Sequence, residues 1–343
     1  MLKQYRVIQW ATGNIGTRSL RTVIQHPRMR LVGLYVSSRD KVGKDAGALC
    51  GLAPVGIAAT SSVDEIVGLE ADCVLYMRQG IDFDQICRLL ASGKNVVTTR
   101  GEFHHPRSMD AALRRRVEEA CMSGNTSIYS TGSSPGFVTE ALSLPLLSLE
   151  RRLECLTIDE FANLSRRDSP DMIFNIMGYG ARPGVFDQRK LDYVHHDFAG
   201  TLSQIADAIG QPFDTTEVKG EMAGARHRTQ IAAGTIEKGT VAALRITVTG
   251  VRSGKPLLRF RANWYCTEEV EADWQLEETG WRVRVEGDTP LDVRIRFPVP
   301  LEDYALVMPG LTAHRAVNSV IAVCEAQPGI RTTVDLPQVI AVF

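Results

Sequence analysis

The chain has 343 residues, enough for two domains that each bury a core. Hydrophobic residues make up 44% and charged residues 23%, the balance of a globular protein, and 39 Lys and Arg against 40 Asp and Glu leave no global field to favour nucleic acid or an anionic membrane surface. No apolar run approaches the ~20 residues of a membrane span, and the seven cysteines are scattered without a C-x-x-C pair, which reads as reduced thiols in a cytoplasmic protein.

The opening, MLKQYRVIQW, runs straight into a strand, with none of the charged and apolar regions of a secretory leader. Strand and helix periods then alternate. YRVIQW is a short apolar strand, residues 14–26 a helix, RLVGLYV a second buried strand and SSVDEIVGL a short helix. ADCVLYM and KNVVTTR are further strands, separated by the amphipathic DFDQICRLLASG. A helix with Pro106 near its start and Gly124 past its end leads to the strand TSIYST. Continuous apolar strands between helices imply a parallel sheet covered on both faces, the doubly wound α/β layout of nucleotide-binding domains, here residues 1–140.

Beyond this point the strands lengthen, and many alternate polar and apolar residues between glycine-containing turns. Residues 141–305 therefore read as an α+β domain, with an antiparallel sheet wet on one face and helices near 170–178 and 195–210. Residues 306–343 hold a helix closed by Pro328 that returns to the first domain.

The stretch VIQWATGNIGTRSL resembles the dinucleotide fingerprint G-x-G-x-x-G with Ala11 in the first glycine's place. Gly13 lets a pyrophosphate approach the backbone, Gly16 lets the helix pack on the strand, and Ala11 is expected to make the turn with a negative φ. The pyrophosphate would lie against the backbone near Thr12, Asn14 and Ile15, at a helix N-terminus. An NAD site usually ends its second strand in an acid. Here LYVSSRD puts Ser37, Ser38 and Arg39 at that corner, which suits a 2′-phosphate, so NADP(H) is favoured and NAD(H) remains open through Asp40.

Ligands of such sheets sit at the carboxyl ends of the strands. Those ends present Met77, Arg78, Thr98 and Thr99, and NVVTTRGEFHHP adds Glu102, a carboxylate near the expected nicotinamide. It is either a proton-transfer group or a helix-start carboxylate. A second glycine turn, YSTGSSPGFVTEAL, brings Gly132, Pro135 and Phe137 to the same edge. The adjacent pairs His104, His105 and His195, His196 point apart, so no metal site is expected and the imidazoles read as surface or pocket groups. The basic RRRVEE is balanced by glutamates and reads as a solvated helix face.

WATGNIG, NVVTTRGE, STGSSPGF, RDSPDMIFNIMGYG and GLTAHRAVNSVIAV together resemble the dihydrodipicolinate-reductase-like oxidoreductases. They most resemble the branch of 2,4-diaminopentanoate dehydrogenase and the native amine dehydrogenases, along essentially the whole chain. The match to dihydrodipicolinate reductase itself is poorer, because DYVHHDFAGT lacks that enzyme's lysine and P-S-G-T turn. The resemblance implies a catalytic role for Glu102 and a homodimer paired through the second-domain sheets. It departs at Arg100, a cation beside the pocket.

The expected activity is reversible reductive amination of a ketone or aldehyde with ammonia. Phe137, Asn163, Tyr179 and His314 are candidate substrate contacts, and Asn318 a candidate cofactor contact. Two alternatives stay open: an ammonia-independent reductase of a C=C, C=N or C=O bond, and a non-catalytic NADP-binding sensor.

Overall fold

The computed structural model describes residues 3–343 and divides into two compact units. One runs to Ala141 and also takes in Leu306–Phe343; the other is Leu142–Ala305.

The first unit is built on β1 (Tyr5–Trp10), β2 (Met29–Tyr35), β3 (Ala59–Thr60), β4 (Cys73–Tyr76), β5 (Asn95–Thr98) and β6 (Ser127–Ser130). A short strand, Gly329–Arg331, pairs with β6, and the sheet runs Gly329–Arg331, β6, β5, β4, β1, β2, β3. Every pairing is parallel. The pleat sends neighbouring residues of β1 to opposite faces. Tyr5 and Val7 join a core with Leu20 and Val23 of α1 (Asn14–Gln25) and with Ala316, Val317, Val320 and Val323 of the terminal helix Pro309–Glu325. Ile8 and Trp10 join the opposite core, with Ile86, Leu89, Val117 and Cys121. Burial on both faces explains the unbroken apolar strands. β1 lies between β4 and β2, where the strand order reverses, and a crevice opens beyond the strand ends at such a point.

The second unit is a six-stranded sheet in the order Leu291–Arg296, Gly280–Gly287, Leu153–Asn163, Lys255–Tyr265, Val241–Arg252, Thr215–Gly224. The neighbours are antiparallel except Leu153–Asn163 with Lys255–Tyr265, which are parallel, so the sheet is mixed rather than purely antiparallel as expected. A parallel pair needs a crossover connection. The chain between these strands holds the helix Gln188–Ala208, whose Phe198 ring stacks on Phe260 with centroids 3.5 Å apart. On the opposite face Arg261 grips buried Asp159 through two hydrogen bonds of 2.6 and 2.7 Å, and Arg284 adds a third of 3.1 Å.

All seven cysteines are free thiols. Among the described residues no helix is long and apolar enough to cross a membrane.

Candidate active site

A groove of about 870 Å³ opens at the carboxyl ends of β1, β2, β4 and β5. Its floor is the turn between β1 and α1. Ala11 there has φ +74°, against the negative φ expected of it. The buried Gln9 amide explains the difference: it accepts from Ser19 Oγ at 2.8 Å and donates to the Ala11 carbonyl at 2.9 Å. That carbonyl is held over Gly16, where a Cβ would sit only 2.2 Å from its oxygen. A left-handed φ costs a residue with a Cβ about 1–2 kcal/mol, which the tertiary contacts offset.

Gly13 precedes α1 in an extended conformation and gives it no side-chain cap, and the first turn holds no acid. A Cβ at Gly13 would meet nothing within 4 Å. The leading N–H groups of the helix therefore lack side-chain partners and face space that an anion can enter. This cradle fits a dinucleotide pyrophosphate.

Ser37 and Ser38 line the groove at the end of β2, but Arg39 is exposed and outside its walls. Lys41, on the same turn, is the cation in the wall. Its Nζ donates to the Thr12 carbonyl and hydroxyl oxygens, both at 3.1 Å. A hydrogen bond from Ser38 holds the Asp40 carboxyl below its usual pKa. Trp10 and Tyr35 stack with centroids 3.9 Å apart, and both line the groove.

Met77, Arg78 and Gln79 form the wall at the end of β4, and Thr99 and Arg100 that at the end of β5. Arg78 Nη1 donates to Gln85 Oε1 at 3.1 Å. Thr98 is buried beneath, donating to the Tyr76 carbonyl at 2.9 Å. Glu102 follows on the single turn Gly101–Phe103, fixed by the fully buried Phe103 ring. Its side chain is 19% exposed, Oε1 is 3.7 Å from Arg100 Nη2, and Oε2 is buried with no hydrogen-bond partner among the described residues.

His104 and His105 are buried, not surface or pocket groups as expected. His104 Nδ1 is 2.8 Å from Glu140 Oε1, and His105 Nδ1 is 2.6 Å from Ser108 Oγ. His195 Nε2 meets Thr216 Oγ1 at 3.0 Å. No group of three His, Cys, Asp or Glu among the described residues is arranged to hold a metal.

The second glycine turn packs against the terminal helix. Ser133 Oγ lies 2.7 Å from Thr312 Oγ1, and Thr312 lines the groove. Gly136 has φ +115°, closing the turn before the chain winds into 137–142. Gly132, Pro135 and Asn318 do not line the groove. The Arg315 guanidinium lies 5.9 Å from the Phe137 ring centroid. His314 stands on the terminal helix, its pKa lowered by partial burial and then by Arg18. In the second unit Asn163 accepts from Ser165 N and Thr279 Oγ1 accepts from Asn163 N, both at 2.9 Å, as in a strand-ending turn. Tyr179 is buried in the core beside Ile173 and Cys266. Its hydroxyl has no hydrogen-bond partner among the described residues, and burial raises its pKa.

The groove thus gathers Thr12, Gly13, Asn14, Ile15, Ser37, Ser38, Met77, Arg78 and Thr99 from the sequence reading. It also takes in Arg100, which the sequence placed beside the pocket, and Lys41, close in sequence to the serines, and it adds Thr312. No local signal marks Thr312, which is distant in the chain.

Residues 181–343 match the 2,4-diaminopentanoate dehydrogenase C-terminal domain. An amine dehydrogenase of Streptomyces virginiae is 26% identical over 96% of this chain and 95% of its own. The chain thus resembles amine dehydrogenases, in sequence along nearly its whole length and through the model matched by its C-terminal part. The structure of an amine dehydrogenase from Mycobacterium smegmatis superposes with a TM-score of 0.76 at 17% identity, covering 98% of this chain and 97% of that one. GenD2 of gentamicin A biosynthesis, solved with NAD, superposes with a TM-score of 0.52 at 14% identity, over 98% and 90% of the two chains. These likenesses are of fold, and they run along both units.

Proposed function

We propose that the protein is an NADP(H)-dependent enzyme of reversible reductive amination. A carbonyl compound, ammonium, NADPH and a proton give the protonated amine, NADP⁺ and water. The observation that carries the reading is Glu102, with a buried carboxylate oxygen lacking a hydrogen-bond partner on the turn after β5. An unpartnered buried acceptor costs about 1–3 kcal/mol, more when charged, and a cationic nitrogen donor relieves that cost.

The α1 N-terminus at Asn14 and Ile15 would hold the pyrophosphate, and Lys41, Ser37 and Ser38 a 2′-phosphate. Bound there, the dinucleotide supplies or accepts the hydride. Glu102 takes a proton from ammonium, releasing the ammonia that adds to the carbonyl. It returns that proton to the departing hydroxyl of the carbinolamine. The carboxylate then faces the iminium, and opposite charges in a poorly solvated site lower the energy of that cation relative to the neutral ketone. In the deaminating direction the same carboxylate receives the amine's proton.

One observation favours the ammonia-independent reading. Arg100, 3.7 Å from Glu102, offsets the negative charge that an iminium needs. Turnover with and without ammonium separates the two. Ammonium-dependent oxidation of NADPH supports amination, and equal rates without ammonium overturn it. The chain's resemblances further suggest a homodimer, which light scattering would test.

A further inference from the structure

Two guanidinium groups line the groove, and they differ. Arg78 hydrogen-bonds Gln85 at 3.1 Å and faces Asp82 at 3.8 Å. Arg100 is 24% exposed and makes no side-chain hydrogen bond among the described residues. Its Nε is buried without a partner, and its nearest carboxylate, Glu102, stands off at 3.7 Å, beyond hydrogen-bond reach. A guanidinium has five donors in a planar fork that matches a carboxylate. One so placed lacks its anion.

The cofactor is a poor source of that anion. Its pyrophosphate belongs at the N-terminus of α1, beside β1, and a 2′-phosphate at the end of β2. Arg100 follows β5, which lies two strands from β1 on the side away from β2. At ~4.8 Å per strand, β5 is about 10 Å from the pyrophosphate strand and about 14 Å from the 2′-phosphate strand. The nicotinamide half has no anion to offer there.

We infer that Arg100 binds a carboxylate on the substrate, and that this contact frees Glu102 for chemistry. The substrate class is then a short oxo acid, or in reverse an amino acid, with its reacting carbon near the carboxylate. The inference rests on the amination reading for the substrate's carbonyl group, but the carboxylate site stands on Arg100 alone. Without substrate, Arg100 screens Glu102. A bound carboxylate satisfies the guanidinium fork and neutralises its charge, so the field of Glu102 acts on the developing iminium. The Arg100–Glu102 relation thereby changes from an obstacle to amination into a gate against neutral ketones.

The test uses the full chain loaded with NADP⁺, as wild type, Arg100→Gln and Arg100→Lys. The probes are propionate and its neutral isostere propionamide, read by calorimetry, with NADP⁺ affinity measured alongside. Propionate should bind wild type, weaken about 10- to 100-fold in Arg100→Gln, and recover partly in Arg100→Lys. Propionamide and NADP⁺ should change less than about twofold. A propionate-to-propionamide ratio unchanged by Arg100→Gln overturns the inference. So does an equal loss of NADP⁺ affinity, which would give Arg100 to the cofactor. Ammonium-dependent turnover of an oxo acid and of the matching methyl ketone is then compared. Arg100-dependent propionate binding without ammonium-dependent turnover retains the carboxylate site and removes the amination reading.

Discussion

His104 Nδ1 lies 2.8 Å from Glu140 Oε1, and both side chains are 1% exposed. Thr333 Oγ1 donates to the other Glu140 oxygen, and Tyr129 OH lies 3.0 Å from Thr333. The pair ties the Glu102 turn to the segment after the second glycine turn and to the chain's terminal stretch. Removing one member strands a buried polar partner, which costs about 1–3 kcal/mol. His104→Ala should therefore lower stability by about 1–3 kcal/mol, read by urea unfolding. A loss below about 1 kcal/mol would mean that the pair does not brace this edge.

Lys41 Nζ rests on Thr12 at 3.1 Å, from where it can turn to a 2′-phosphate. A charge-assisted hydrogen bond contributes about 1.5–3 kcal/mol, or about 10- to 100-fold in affinity. Lys41→Ala should weaken NADPH by at least about tenfold and NADH by less than about twofold, whereas Arg39→Ala should spare both. Titration of cofactor fluorescence reads all four values. Equal weakening of the two cofactors by Lys41→Ala would remove Lys41 from discrimination.

At Ala11 the left-handed φ predicts a gain from glycine. Relief of about 1–2 kcal/mol, less about 0.4–1 kcal/mol of added freedom in the unfolded chain, leaves Ala11→Gly up to about 1.6 kcal/mol more stable. Gly16→Ala should act oppositely, because its Cβ would lie 2.2 Å from the Ala11 carbonyl oxygen. It should cost several times that amount and weaken cofactor binding. Thermal unfolding of both variants checks the pair, and a neutral Gly16→Ala would contradict the packing described.

The buried ring of His26 accepts a hydrogen bond from Arg28 N through Nδ1 at 3.1 Å. Burial, and then the Arg28 charge, lower its pKa from 6.5. The folded state therefore binds fewer protons than the unfolded state just below that value. His26 thus contributes stability above pH 6.5 that is lost as pH falls through the lowered folded pKa. Stability should decline as pH falls below 6.5, before most carboxylates titrate. His26→Asn should flatten this part of the pH curve, and an unchanged slope would exclude His26 as its source.

The parallel sheet was legible because β1, β2, β4, β5 and β6 are continuous apolar runs, as strands covered on both faces must be. The second sheet was only half legible. Its strands follow from alternation, but the parallel pairing of Leu153–Asn163 with Lys255–Tyr265 joins segments far apart in sequence. The glycine turn between β1 and α1 was readable from local sequence. The sign of φ at Ala11 was not, since it depends on the Gln9–Ser19 contact. Adjacent histidines do point apart, but burial of both depends on Glu140 and Ser108. The choice of Lys41 over Arg39 turns on which face of one short turn meets the groove. The place of Glu102 just after a strand was legible, whereas the missing partner of its Oε2 is visible only in three dimensions.

The most direct measurement is NADPH oxidation by wild type and Glu102→Gln with short oxo acids and methyl ketones, each with and without concentrated ammonium. The account predicts turnover that requires ammonium, favours the oxo acids and falls at least about 100-fold in Glu102→Gln, the scale of a lost general acid–base. Turnover that ignores ammonium, or survives the substitution, would contradict it.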